Sequence, residues 1–296
     1  MARGDSLRRF FFEAFPVRGE LVHLDAAWQA VLERHDYPPA VRALLGEAMA
    51  ASVLLASTLK FEGMLTLQLQ GEGDLYLLVA QCGSDLSVRG LAKWRSDDPR
   101  GTLAELTGAG RLAITIESRK SRERYQGIVS ADTDDLSGCL ENYFANSEQL
   151  PTRLWLAADA DRAAGMLLQR LPEAEGRAAE DEGWNRTGLL ADTITRDELL
   201  NVGDRDVLRR LFHEEDLRLV ESEAVAFSCS CNRGRVESAL RLIGRDELEG
   251  LLAEEGTIQV RCEFCNMAYE LDPVDVERLL SGGGDDVPPP VSQTLH

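Results

Sequence analysis

The sequence is poor in the residues from which most active sites are built. Its 296 residues include only four histidines. His213 sits in a His-Glu-Glu run, but no second histidine lies one helical turn away, as a zinc-protease helix requires. There is no glycine-rich phosphate loop and no Ser/His/Asp set with a local signature. Ser57-x-x-Lys60 resembles an acyl-enzyme motif without its companions, so it reads as a chance match on a helix. A conventional active site in residues 1–171 is therefore unsupported, and the chain is not expected to be an enzyme. Cationic side chains are also scarce: 32 Lys and Arg stand against 51 Asp and Glu, a formal charge of −19. That deficit argues against nucleic-acid binding, which depends on neutralising phosphates, and against anionic membrane surfaces. No run of 18 apolar residues occurs, so no membrane-spanning helix is expected. The first residues, MARGDSLRRFFFEAF, are basic, but their apolar run stops at three phenylalanines, too short for a signal peptide. A cytoplasmic location is expected, where thiols are kept reduced.

What the sequence does have is cysteine in an uneven distribution. Four of its six cysteines fall in 229–265, as a Cys-x-Cys pair (Cys229, Cys231) and a Cys-x-x-Cys pair (Cys262, Cys265) separated by thirty residues. Two close pairs brought together by a short fold supply four soft ligands, which suits tetrahedral Zn²⁺. Cys82 closes a buried strand and Cys139 lies in a helix; both read as small packed thiols.

Composition is that of a soluble globular protein, 44% hydrophobic and 28% charged, with length for roughly two domains. Residues 8–24 mix aromatic and β-branched residues around Pro16, consistent with two strands or one bent strand. Residues 38–60 carry a helical apolar spacing with an Ala-rich opposite face, a helix packed on more than one side. LTLQLQ (65–70) and LYLLVA (75–80) read as a hairpin, the second strand buried on both faces. Further strands are expected at 87–92, 111–117, 124–130 and 153–159. Asp132–Asp135 offer N-caps for a helix that Pro151 ends, and RAAGMLLQRL before Pro172 reads as another helix. Residues 1–172 thus form an α+β core domain with a mostly antiparallel sheet.

Composition changes at 173–183, an acidic run without apolar anchors that reads as a boundary or flexible link. Residues 187–220 hold short amphipathic segments, punctuated by Gly203 and too short to be stable alone in water. They must dock on something, and 173–226 reads as a helical, metastable linker. The four-cysteine unit, 227–281, contains a helix at 236–244 with Val236, Leu240 and Ile243 on one face. A second short helix follows, then a strand leading into Cys262. The tail, 282–296, is rich in Gly and Pro and is expected to be disordered.

A unit of about 60 residues with few aromatics buries little apolar surface, so metal must supply much of its stability. Zinc also keeps its cysteines as thiolates, the form that oxidants attack. The site reads either as structural or as a sensor whose oxidation is coupled to unfolding, and spacing alone does not choose. A thiol-disulfide oxidoreductase using Cys262-x-x-Cys265 is one alternative, although no βαβ pattern precedes that pair. A zinc-ribbon protein-interaction module is another.

FSCSCNRGRVESAL and GTIQVRCEFCNMAYEL resemble the redox switch of the heat-shock protein 33 family, the redox-regulated cytoplasmic chaperones. NYFANSEQLPT (142–152) and LFHEEDLRLV (211–220) resemble the same family, so the likeness spans the chain. The resemblance implies an ATP-independent holdase, inactive while Cys229, Cys231, Cys262 and Cys265 bind Zn²⁺. It further implies that oxidation forms disulfides Cys229–Cys231 and Cys262–Cys265, releases zinc, and unfolds the switch and linker. The implied partners are unfolding client proteins and, in the oxidised state, a second copy of the chain.

Overall fold

The computed structural model describes residues 4–120, 123–172 and 177–281. Contacts divide the chain into two compact units, the first ending at Ser228 and the second beginning at Cys229.

The first unit opens with a hairpin, β1 (Ser6–Phe12) and β2 (Val17–Leu24), followed by α1 (Ala26–Leu32) and the long α2 (Pro39–Thr58). A meander of β3 (Gly63–Gln70), β4 (Leu75–Gly83) and β5 (Ser87–Trp94) leads to the short α3 (Leu103–Thr107). A second hairpin, β6 (Arg111–Ser118) and β7 (Arg124–Ser130), precedes α4 (Leu136–Tyr143). That helix runs into a π-helical segment, Phe144–Glu148, before β8 (Thr152–Ala158) and β9 (Ala163–Arg170). The remainder holds α5 (Arg177–Ala191), α6 (Arg196–Asn201), α7 (Asp204–Phe212) and the short strands β10 (Leu217–Leu219), β11 (Glu223–Ala224) and β12 (Ala226–Phe227).

Two six-stranded sheets result. In the first the order is β10-β1-β2-β9-β8, with β11 also on β1, and every pairing is antiparallel. In the second the order is β12-β5-β4-β3-β6-β7, antiparallel except for β12, which runs parallel to β5. Helix α2 packs against strands of both sheets. Pro39 starts it at a position where a missing N–H costs nothing, and Val41, Leu45, Met49, Ala51 and Leu54 bury different faces of it. By length and composition alone this helix is long and apolar enough to cross a membrane, but 72% of its most apolar window is buried inside the protein. Its apolarity is that of a core helix enclosed on several sides. Gly19 on β2 matters for a different reason: a Cβ there would sit 2.0 Å from the Phe10 ring, which lies fully buried across the hairpin.

The fold is α+β, as read from the sequence, with corrections in detail. RAAGMLLQRL is not a helix: β9 lies between β2 and β8 and is buried along nearly all its length. A strand covered on both faces is a continuous apolar run, which periodicity cannot separate from a buried helix. The acidic link at 173–183 is helical from Arg177 onward, anchored by residues at and beyond its end: Gly183 abuts the Phe15 ring and Thr187 is buried. Residues 217–227 are extended rather than helical. The expected disordered tail, 282–296, lies outside the described residues.

Glu20 on β2 is 1% exposed. One of its carboxylate oxygens accepts from the Ser57 hydroxyl at the end of α2, and the other has no partner among the described residues. Burial pushes its pKa up from 4.5 to about 7, and the Ser57 bond and the Arg18 and Arg9 guanidiniums pull it back only in part. Between those values the folded chain keeps a proton that the unfolded chain has released, so stability falls as pH rises through that window. Glu20→Gln keeps the shape and stays neutral. It should flatten that decline and add on the order of 1–3 kcal/mol at pH 8. Melting temperatures at pH 5 and pH 8 test this; an equal loss at both would contradict it.

The second unit comprises α8 (Arg233–Arg241), α9 (Arg245–Glu255), β13 (Ile258–Arg261), β14 (Ala268–Leu271) and α10 (Pro273–Ser281). Asn232 caps α8 by accepting the Arg235 N–H at 3.0 Å, and Gly256 ends α9 at φ +76°, where glycine avoids a Cβ penalty. Arg233 ties α8 to α10 through Asp275 at 2.6 Å. Among the described residues its buried apolar core is Leu240, Leu248, Ile258, Leu271, Val276 and Leu279. Val236 packs against that core, but Ile243, expected on the same face, is 50% exposed.

Candidate metal centre

Cys229 and Cys231 lie on the extended stretch before α8. Cys262 directly follows β13, and Cys265 sits in the turn that leads to β14. That turn is closed by the Asn266 N–H donating to Cys262 O at 2.8 Å and the Cys262 N–H donating to Met267 O at 3.0 Å. Asn266 takes φ +59°, a conformation asparagine tolerates better than most residues. The fold brings both pairs together: the four Sγ atoms all lie within 4.8 Å of one another. Across the pairs, Cys231 Sγ stands 3.2 Å from Cys265 Sγ and Cys229 Sγ 3.7 Å from Cys262 Sγ.

An ion held tetrahedrally by four sulfurs about 2.3 Å away requires sulfur–sulfur separations of roughly 3.8 Å. The group is that size, and all four residues are half-buried. Burial pushes the Cys262 thiol up, although the Phe264 and Cys265 N–H groups point at its sulfur. Cys265 is pushed up to about 12 by burial and by the other sulfurs, with the Met267 N–H opposing. Four thiolates so close together require a cation. This is the only such group of His, Cys, Asp or Glu side chains among the described residues.

The other sequence candidates fall elsewhere. Cys82 and Cys139 are buried, each pushed up to about 12 by desolvation, and donate to the backbone carbonyls of Gly83 and Ser130. His213 is the C-cap of α7, and Glu215 accepts from Arg186 at 2.7 Å. Ser57 donates to Glu20 and Leu54 O while Lys60 is exposed, so no acyl-enzyme pair exists. One residue the sequence did not single out is Tyr269, whose hydroxyl donates to Cys231 Sγ at 3.2 Å.

The segments before the metal centre dock on the first sheet. Leu199 and Leu200 of α6, and Val207, Leu208, Leu211 and Phe212 of α7, are buried in one cluster with Phe10, Phe12, Phe15, Val17, Leu21, Met166 and Leu168. The Phe212 ring stands 6.1 Å from Phe10 and 5.1 Å, edge-on, from Phe12. Polar contacts surround this patch. His23 Nε2 meets Leu199 O at 3.1 Å, Arg8 holds Asp204 and Val220 O, and Arg196 reaches Glu47 at 3.6 Å. Thr195 and Glu198 form a capping box at the start of α6.

Comparison with known proteins adds the following. Residues 5–272 match the family model described as Hsp33 protein. A 33 kDa chaperonin from Nitrosococcus oceani is 49% identical, with the whole of both chains covered. One from Methylobacillus flagellatus is 44% identical over 95% of this chain and 96% of its own. The crystal structure of a 33 kDa chaperonin, a heat shock protein 33 homolog from Thermotoga maritima, superposes with a TM-score of 0.81 at 24% identity. It covers 93% of this chain and 98% of that one, a likeness of fold.

Proposed function

The chain belongs to the Hsp33 family, and from that premise we propose that it is a redox-regulated, ATP-independent chaperone. It binds unfolding or oxidatively damaged proteins and keeps them from aggregating, without catalysis. The observation that carries this reading is the convergence of four sulfurs within 4.8 Å in a unit whose buried core is small.

Cys229, Cys231, Cys262 and Cys265 hold Zn²⁺ in the reduced, inactive protein. When bound, the ion keeps the sulfurs as thiolates and supplies roughly 10–16 kcal/mol at neutral pH, as structural zinc does in small domains. Oxidation joins Cys229 to Cys231 and Cys262 to Cys265, taking from the unit the ligands on which its folding depends. The switch, 227–281, then unfolds, and the linker, 173–226, follows, leaving the core domain, 1–172. What supports the second step is the character of the docked segments. α6 and α7 have six and nine residues, lengths with no independent stability, and segments of low local stability are those that order-to-disorder switches use. Their departure uncovers the phenylalanine-rich face of the first sheet, apolar surface of the kind that unfolding clients also expose. The active form is a homodimer that works in the cytoplasm, on proteins rather than nucleic acid or membrane.

The test follows zinc, with a colour indicator, and light scattering from a heat-unfolded client, before and after peroxide at raised temperature. About one zinc per chain should be released, as a single four-thiolate site requires, and protection should develop only then. Equal protection by the reduced, metal-loaded protein would overturn the reading.

A further inference from the structure

Arg9 on β1 stands directly opposite Glu20 on β2. Side chains in that register share one face of the sheet, with Cβ atoms about 5 Å apart, so this guanidinium and carboxylate are natural partners. Yet no bond joins them. Arg9 turns instead to Glu223 on β11, whose carboxylate accepts from its Nη2 group. Beside it, Val220 donates its N–H to Arg9 O at 2.9 Å. Both contacts come from the stretch after α7 that lies along β1. Two orphaned atoms result: Arg9 Nε and Glu20 Oε1 are each buried without a partner among the described residues. Such atoms are uncommon and costly, and here one is a donor and the other an acceptor on neighbouring strands.

The remaining groups around Glu20 do not fill the gap. Ser57 on α2 donates to its second oxygen. Arg18, next on the same face of β2, gives its donors to Gln169 Oε1 at 3.1 Å and Thr58 O at 3.4 Å. Burial therefore dominates, holding the Glu20 pKa at about 7 against Ser57, Arg18 and Arg9, and the charge on Glu223 pushes the same way as burial.

We propose that Arg9 is an exchangeable clamp, holding Glu223 while the linker is docked and transferring to Glu20 when β11 leaves. The proposal rests on the reading that the linker departs from the first sheet, and adds what takes its place there. The bond given up joins two partly exposed side chains, a class worth at most about 1 kcal/mol. The bond gained satisfies both buried orphans. Glu20 gives up its proton as the guanidinium arrives, so the docked state binds a proton that the released state does not. Docking is therefore strongest at low pH, and it weakens as pH rises toward and through about 7.

Two measurements on the reduced, zinc-loaded full chain test the exchange. Glu223→Ala frees Arg9 and keeps the backbone pairing of β11 with β1. NMR titration of the Glu20 carboxyl should give a pKa near 7 in the native protein and below about 6 in the variant, the effect of a cation brought into contact. Adding Arg9→Met should return it to about 7 or above. No fall in the single variant would overturn the exchange. An equal fall in the double variant would also overturn it, because the cause would then be lost repulsion alone. The second measurement compares amide exchange of 196–220 in the native protein and in Glu20→Gln. Opening of the native linker relative to the variant should be about tenfold greater at pH 8 than at pH 5. Comparing the two proteins at each pH cancels intrinsic exchange rates. It also cancels Glu47 on α2, another carboxyl that burial raises to about 7, beside Arg196 of α6. A ratio that does not move with pH would mean that the exchange has no hold on the linker, and would overturn the proposal. Linker amides that stay protected after peroxide would instead overturn the release reading, on which the Glu20 titrations do not depend.

Discussion

Replacing Cys231 with serine should unfold the second unit and leave the first folded. Among the described residues the second unit buries six apolar side chains, Leu240, Leu248, Ile258, Leu271, Val276 and Leu279, and exposed charged pairs such as Arg245 with Glu249 contribute little. Metal binding worth roughly 10–16 kcal/mol matches or exceeds the entire stability of an ordinary domain, about 5–15 kcal/mol. A serine hydroxyl is a poor replacement for a soft thiolate, so the site falls from four good ligands to three. Most of that free energy is lost. Metal content should drop from about one per chain to near zero at micromolar zinc. Amide protons in 233–281 should exchange at unfolded rates, while those of α2 and β9 remain protected. Retained metal and protected amides in 233–281 would show that the unit folds without its fourth sulfur.

The second large effect is expected at Phe212. Its side chain is 1% exposed and wedged against Phe10 and Phe12, at the last residue of α7. Truncating such a ring costs about 3–5 kcal/mol, and a buried hydroxyl left without a partner adds to it. A nine-residue helix has no reserve from which to absorb that loss. Phe212→Ser should therefore release the linker in the reduced, zinc-loaded protein. Amides between 196 and 220 should exchange quickly, zinc should stay bound, and aggregation of a heated client should be suppressed without oxidant. A matched control is Leu189→Ser, since Leu189 is 68% exposed and its change should fall within about 0.5 kcal/mol. If the linker amides open in Phe212→Ser but protection still requires peroxide, release of the linker is not what activates the protein.

Much of this architecture can be read along the chain, and the exceptions share a cause. The strict alternation of LTLQLQ marks β3, and the apolar spacing of 38–60 marks α2, because each signal is local. The two cysteine pairs mark their site for the same reason: ligand type and spacing carry the chemistry. What escaped depends on neighbours distant in sequence. β9 looks helical until β2 and β8 are placed on either side of it. The linker segments show that they need a partner, yet nothing in 187–220 says that the partner is Phe10 and Phe12, some two hundred residues earlier. Tyr269 is an ordinary strand residue until the chain folds back and brings Cys231 to its hydroxyl. Residues 217–227 look like more linker, because strands of two or three residues have no period to detect.

Those short strands have a consequence of their own. On the side of β1 away from β2, Phe10–Phe12 pair with Leu217–Leu219, and Ser6 and Leu7 pair with Ala224 and Glu223. A linker that leaves takes these partners with it and turns β1 into an open sheet edge, a row of backbone donors and acceptors seeking an extended chain. Pairing along such an edge reads peptide groups rather than side chains, so it would accept any unfolded segment regardless of sequence. It would also accept the same edge on a second activated copy, so that client capture and self-association would compete for one strand.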